Sequence, residues 1–170
     1  MRTVVLGDRP VELEELIARR RALGQDGFDE VWEGEYHVAP HAHSRHGLID
    51  DELAALLRPF ARRAGLRGSG AFNLGTPNDY RVPDRGFHSV QPDGVYVATA
   101  PVVVEILSPD DETFEKFAFY AAHGVREVIV AMPEEHEVRC YDPGTGEQLA
   151  VSKQLGVEMA VISADLDWPA

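Results

Sequence analysis

Apolar residues recur along this chain with two periods, and each change of period marks an element. Val11, Leu13, Leu16 and Ile17 fall on one side of Pro10 to Arg21, with Leu23 a turn further. Glu12, Glu14, Glu15 and Arg19–Arg21 fall on the other. This predicts an amphipathic helix closed by Gly24 and Asp26-Gly27. Phe28 to Pro40 carries Trp32, Tyr36 and Val38 around Gly34, a strand or hairpin pattern. Ser44 to Leu66 holds the longest helical pattern, with Leu48, Ile49, Leu53, Leu56, Leu57 and Phe60 at helical spacing and Gly65 at the C-cap. A short strand is expected around Ala71–Leu74. Tyr80 to Val90 reads as a further strand with Pro83 at its edge or start, and a turn at Pro92–Gly94 leads into Val95–Val97.

The densest apolar run is Val102-Val103-Val104, continued by Ile106 and Leu107, the pattern of a strand buried on both faces. Glu105 interrupts it. Ser108 as N-cap and Pro109 at the first helical position then predict a helix to His123, ended by Gly124, with Asp110, Asp111 and Glu112 at its positive pole. Val125 to Met132 is a second buried strand, so residues 101–132 read as a β-α-β unit. Val138–Tyr141 and Gln148–Val151 flank a turn, and the tail from Val161 is expected to end in a short irregular segment. The fold class is α/β. Residues 1–27 are expected to form a helical cap and residues 28–170 a single domain.

The chain has 170 residues and 44% apolar content, enough for one domain with its own core. No apolar run reaches membrane-spanning length, and the N-terminus lacks the apolar core of a signal peptide. Cys140 is the single cysteine. The cytoplasm is therefore the expected compartment. A net charge of −13 argues against broad affinity for nucleic acid, yet residues 1–67 hold ten arginines against twelve acids. Polyanion contacts are expected to use that first part. Fourteen of the sixteen cations are arginine, so Lys116 and Lys153 stand out as places where a compact, tunable charge serves better.

An ionised Glu105 in a buried strand needs a cation to meet it. Asp84, beside Pro83 on a neighbouring strand, offers a second carboxylate, and two such oxygens suit Mg²⁺ or Mn²⁺. Such an ion polarises a phosphodiester and acidifies bound water. Lys116 could orient that water or stabilise charge on phosphorus. A helical projection nevertheless sets Lys116 nearly opposite an apolar face of Phe114, Phe117, Ala118 and Ala121, as for a solvated lysine, while the flanking Phe119 and Tyr120 imply that its side is also partly covered. Pro92-Asp93 is the rival to Asp84, although it reads as a turn. His37, His41, His43 and His46 place four of seven histidines within ten residues, without a fixed ligand spacing.

The segments WEGEYHVAP (32–40), RVPDRGF (81–87), VVVEILSP (102–109) and EKFAFYAAHGVREVIV (115–130), with His46 at a helix start, resemble the Uma-type family of the PD-(D/E)xK nuclease superfamily. The resemblance spans roughly Phe28 to Tyr141. It implies a restriction-endonuclease-like fold with a mixed β-sheet flanked by helices. It also implies a Mg²⁺- or Mn²⁺-dependent endonuclease acting on DNA. The superfamily acids fall on Asp84 and Glu105 and the lysine on Lys116. Glu35, rather than Glu33, matches an additional N-terminal acid, and His46 matches a histidine near phosphate or water. The lysine usually two residues after the acid would fall on Leu107, and Met132 stands where aspartate is expected. The acidic charge fits DNA binding if the protein forms a homodimer or a partner assists. A catalytically silent binding module with the same fold, and a histidine-based metal-binding protein, are the alternative readings.

Overall fold

The computed structural model describes residues 11–39, 43–109 and 112–169. Helix α1 spans Val11–Ala22, and β1 (Glu30–Trp32) and β2 (Glu35–His37) form the expected hairpin. Helix α2 (Ser44–Arg63) is followed by β3 (Arg67–Ser69), β4 (Asn73–Thr76), β5 (Asp79–Arg81), β6 (Arg85–His88) and β7 (Tyr96–Val97). Strand β8 (Val102–Ile106) leads through a 3-10 turn at Thr113–Lys116 into α3 (Phe117–Ala122) and β9 (Glu127–Met132). The chain ends with β10 (Glu137–Tyr141), β11 (Gln148–Leu149), β12 (Val151–Ser152), β13 (Val157–Glu158) and α4 (Met159–Asp165).

Within these residues a six-stranded sheet has the order β11-β10-β9-β8-β6-β3, with β8 and β9 parallel and the other pairs antiparallel. A five-stranded sheet has the order β2-β1-β5-β4-β7. Alternation along β8 divides the core. Val102, Val104 and Ile106 pack with Ile49, Leu53 and Leu57 of α2 and Met159 and Ile162 of α4. Val103 points the other way, into a cluster with Phe117, Tyr120, Val128 and Val130. Glu105 shares the face of Val103.

Helix α2 stops as its sequence dictates. Gly65 takes φ +75°, its N–H reaches the Arg62 carbonyl, and Leu66 N–H reaches Ala61, closing a Schellman motif. Helix α1 buries less than its pattern implies. Ile17 is buried against Val31, Tyr36 and Tyr80, but Val11, Leu16 and Leu23 are exposed.

Two expectations need correction. Tyr80 to Val90 is not one strand. It divides into β5 and β6, which belong to different sheets, and the break falls at Val82–Asp84 because Pro83 has no N–H to continue a ladder. The helix does not begin at Ser108-Pro109. Leu107 N–H still pairs with the Ala131 carbonyl at 2.9 Å, so the chain follows β9 past the end of β8 and helical turns start at Thr113. Asp110 and Asp111 lie outside the described residues. The tail ends irregularly over residues 166–169, after Met159, Ile162 and Leu166, at helical spacing, pack α4 onto the core.

Glu127 is a buried carboxylate that the sequence pattern hid in an apolar strand. It accepts hydrogen bonds from Ser152 Oγ, Lys153 N–H at 2.7 Å and Gln154 N–H at 3.1 Å, and so clamps the turn after β12 to the start of β9. Burial, with Glu127 nearby, pushes the Cys140 thiol up to about 12. Removing this carboxylate orphans three donors at once. Glu127→Leu is expected to lower unfolding free energy by about 3 kcal/mol and Ser152→Ala by about 1 kcal/mol in urea denaturation. A Glu127→Leu loss below about 0.5 kcal/mol would contradict the clamp.

Candidate active site

The register of β6 against β8 pairs Arg85 with Val104, and its continuation sets Asp84 opposite Glu105. The two acids nominated from sequence therefore meet at one end of adjacent strands. Asp84 is fixed through both oxygens. Oδ2 accepts from Ile106 N–H at 2.8 Å, and Oδ1 lies 2.9 Å from His46 Nε2 in the first turn of α2. Glu105 is 3% exposed. Its Oε1 accepts from the buried Tyr120 hydroxyl and lies 3.2 Å from Lys116 Nζ.

Lys116 also lies 3.0 Å from Oε1 of Glu30 on β1. Glu30 is the site residue that sequence reading missed. Its Oε1 accepts from Val82 N–H at 2.7 Å and its Oε2 from Trp32 Nε1 at 2.6 Å. A glutamate in a short acidic hairpin carries no mark of burial. The available signal was alternation, because Glu30 shares the inward face with Trp32. Glu35 shares that face too, but on β2 at the turn end of the hairpin, where it pairs with Trp32. Among the described residues no hydrogen bond or ion pair ties Glu35 to Lys116, Asp84 or Glu105. Glu33 forms the turn at φ +50°, its N–H bonded to Asp79.

The placement of Lys116 overturns the helical projection. The face it nominated is largely the outer one, since Phe114 and Ala118 are exposed. The side turned inward carries Thr113, Lys116, Phe117 and Tyr120, while Phe114 is 47% exposed. The histidines disperse. His43 caps α2 by accepting from Arg45 N–H, His37 lies 3.3 Å from Glu112 and stacks on Trp32, and His46 meets Asp84. His41 lies outside the described residues. Asp93 is exposed in a loop away from β8.

A column of flat groups supports Glu30 from behind. His37 stacks on Trp32 at 4.4 Å, the Arg81 guanidinium sits 4.5 Å from Trp32 and 4.0 Å from Phe119, and Phe119 stacks on His123 at 3.9 Å. Arg81 is buried, and its Nη1 donates to the Val31 carbonyl and to Asp79. The column joins β2, β1, β5 and α3, so it connects the elements that carry Glu30 and Lys116.

The electrostatics of the cluster follow from this crowding. Burial raises the Glu105 carboxyl far above its ordinary value, to about 8. Lys116 opposes the rise, and Asp84 and Glu30 add to it. The hydrogen bond and charge of Asp84 raise His46 despite its burial. Burial and Glu105 push the Tyr120 phenol well above its usual range.

Among the described residues no group of three His, Cys, Asp or Glu side chains forms a ready-made metal cage. The donor set still suits Mg²⁺ or Mn²⁺. Such ions keep several waters and take one or two carboxylates plus substrate phosphate oxygens, so Asp84 and Glu105 suffice on the protein side. A buried carboxyl crowded by two other acids is also a group that gains from a cation.

The raised Glu105 value has a sign that can be checked in the metal-free protein. Between about 4.5 and about 8 the folded state binds a proton that the unfolded state releases, so stability falls as pH rises through that window. Glu105→Gln removes this slope. Its stability relative to wild type is expected to rise with pH, by up to about 1.4 kcal/mol per unit, in denaturation measured from pH 5 to 8. Parallel pH profiles for the two proteins would contradict the assignment.

With the geometry described, comparisons with known proteins can be placed. No curated protein matches the sequence. The chain resembles the crystal structure of a "putative nuclease belonging to DUF820" from Anabaena variabilis. The TM-score is 0.66 at 16% identity, over 81% of this chain and 90% of that one, a likeness of fold. The model of the family Uma2, described as "Putative restriction endonuclease", matches residues 13–167, and this chain belongs to that family.

Proposed function

We propose that the protein hydrolyses DNA phosphodiesters with a divalent metal, Mg²⁺ or Mn²⁺, held by Asp84 and Glu105 and assisted by Lys116. One observation carries the reading: Lys116 bridges Glu105 and Glu30 while Asp84 faces Glu105 across adjacent strands. When bound, the ion polarises the scissile phosphate and acidifies the attacking water.

The chain's own groups divide the remaining work. Ile106 N–H and His46 fix both oxygens of Asp84, which leaves little rotamer freedom to lose on binding. Tyr120 orients Glu105 from within the core. Glu30 would hold the Lys116 ammonium if Glu105 served a cation, leaving Nζ available to stabilise charge on a phosphate. His46, held positive by Asp84 to a higher pH than usual, contributes a donor at the same edge.

A catalytically silent binding module is the second reading, and Lys116 itself favours it. The ammonium already neutralises Glu105 in the place a metal would occupy.

Plasmid DNA with Mn²⁺, with Mg²⁺ and with EDTA separates the two. The nuclease reading expects cleavage that EDTA abolishes and that Glu105→Ala, Asp84→Asn and Lys116→Ala each lower by about 10²-fold or more. Lys116→Arg is expected to fail as well, since a planar guanidinium does not replace a compact ammonium between two carboxylates. Wild-type protein that leaves DNA intact, or cleavage that survives both Glu105→Ala and Lys116→Ala, would overturn the assignment.

A further inference from the structure

Some arginines of this protein are tied closely to carboxylates and others are not. Arg20, Arg45, Arg81, Arg85 and Arg139 each pair with a carboxylate, at 2.5 to 2.9 Å. At the C-terminal end of α2 and the start of β3, Arg58, Arg62, Arg63 and Arg67 are all exposed, and among the described residues none has a carboxylate partner. Arg63 lies over the Phe60 ring, and Arg67 donates to Gln91. Arg58, Arg62 and Arg67 line a groove of about 540 Å³ floored by Ala61, Gly65, Leu66 and Gly68.

The helix dipole explains part of this. It favours cations in the last turn, which accounts for Arg62 and Arg63. It does not account for Arg58 a turn earlier, or for Arg67 beyond the helix. Arg58 and Arg62 stand four apart, a spacing at which like charges destabilise a helix. No acid stands three or four residues from Arg58 or Arg62 along α2 to relieve them, in a chain with 29 acidic residues. A glycine-floored groove under unpaired guanidinium groups fits a flexible anionic polymer, since guanidinium forks grip phosphate in pairs.

Its position fits the strand geometry. Arg67 pairs with His88 at the far end of β6, four residues from Asp84, or roughly 13 Å along the strand. Duplex DNA rises 3.4 Å per phosphate on each strand, so the groove and the acidic cluster are about four base pairs apart. We propose that this groove is a docking surface for the phosphate backbone of duplex DNA. The proposal deepens the nuclease reading and rests on it for the identity of the polymer.

Binding of a fluorescein-labelled duplex in EDTA, followed by anisotropy across a salt series, tests docking without cleavage. Arg58→Gln, Arg62→Gln and Arg67→Gln together are expected to weaken binding at least tenfold. They are also expected to lower the slope of log affinity against log salt by about 2.7, each single change contributing about 0.9. Arg19→Gln, Arg126→Gln and Lys153→Gln remove the same charge from other exposed positions and serve as the control, with thermal melting curves verifying the fold. Wild-type protein that does not bind, or a groove variant that loses no more than the control, overturns the proposal. Glu105→Ala is expected to retain binding, so the two readings fail separately. Arginine-dependent binding without metal-dependent cleavage sinks the nuclease reading alone. Cleavage with binding that ignores the arginines sinks the docking surface alone.

Discussion

Burial of the Glu105 carboxylate near the end of β8 is the constraint on which the rest of the structure depends. The strand is covered on both faces, so the charge cannot reach bulk water by a change of rotamer. Every element around it supplies an answer. The 3-10 turn brings Lys116 inward, α3 brings the Tyr120 hydroxyl, and β1 brings Glu30 to share the ammonium. Remove Lys116 and three acids face one another in a dry cleft. A buried charge cluster of this kind costs stability.

The two sheets have to be held in register for that arrangement to persist. The break at Pro83 sends β5 and β6 to different sheets, so Asp84 belongs to the hinge between them. Glu30 and Lys116 come from opposite sides of this hinge. Two or three donors hold each of the Glu30 and Glu105 carboxylates. The stack of His37, Trp32, Arg81, Phe119 and His123 adds a stiff, desolvated connection, with Arg81 neutralised by Asp79. Lysine at position 81 would lack the flat surface that lets both rings pack against one cation.

Much of this was legible in the sequence. The buried strand around Glu105, the β-α-β unit, the longest helix with its Gly65 cap and the meeting of Asp84 with Glu105 follow from local patterns and from the family resemblance. Lys116 was legible as a residue type and illegible as a direction. Its projection took Phe114, Ala118 and Ala121 as the buried face, whereas Phe114 and Ala118 are exposed and the side of Thr113 and Tyr120 is buried. Glu30 was invisible for another reason. Its burial comes from β5 and α3 closing over the hairpin, contacts distant in sequence that no local period records. Tyr120 looked like a flanking aromatic, because nothing in the order of residues shows that its hydroxyl ends beneath Glu105.

Net charge is a poor guide to the surface of this molecule. Several acids are turned inward or spent on arginines: Asp29 on Arg20, Asp50 on Arg85, and Glu30 and Glu105 on Lys116. What a polyanion meets is the residue of that pairing, and pairing is uneven. At the end of α2 the arginines outnumber their partners, so a patch of positive potential survives inside a chain of −13. Screening makes this locality sufficient. With a Debye length of about 8 Å at physiological salt, acids on the far side of the molecule contribute little to the potential in an exposed groove. An acidic protein can therefore offer a basic track to a phosphate backbone while its overall charge discourages indiscriminate contact, and affinity then depends on geometry at a few arginines rather than on bulk attraction.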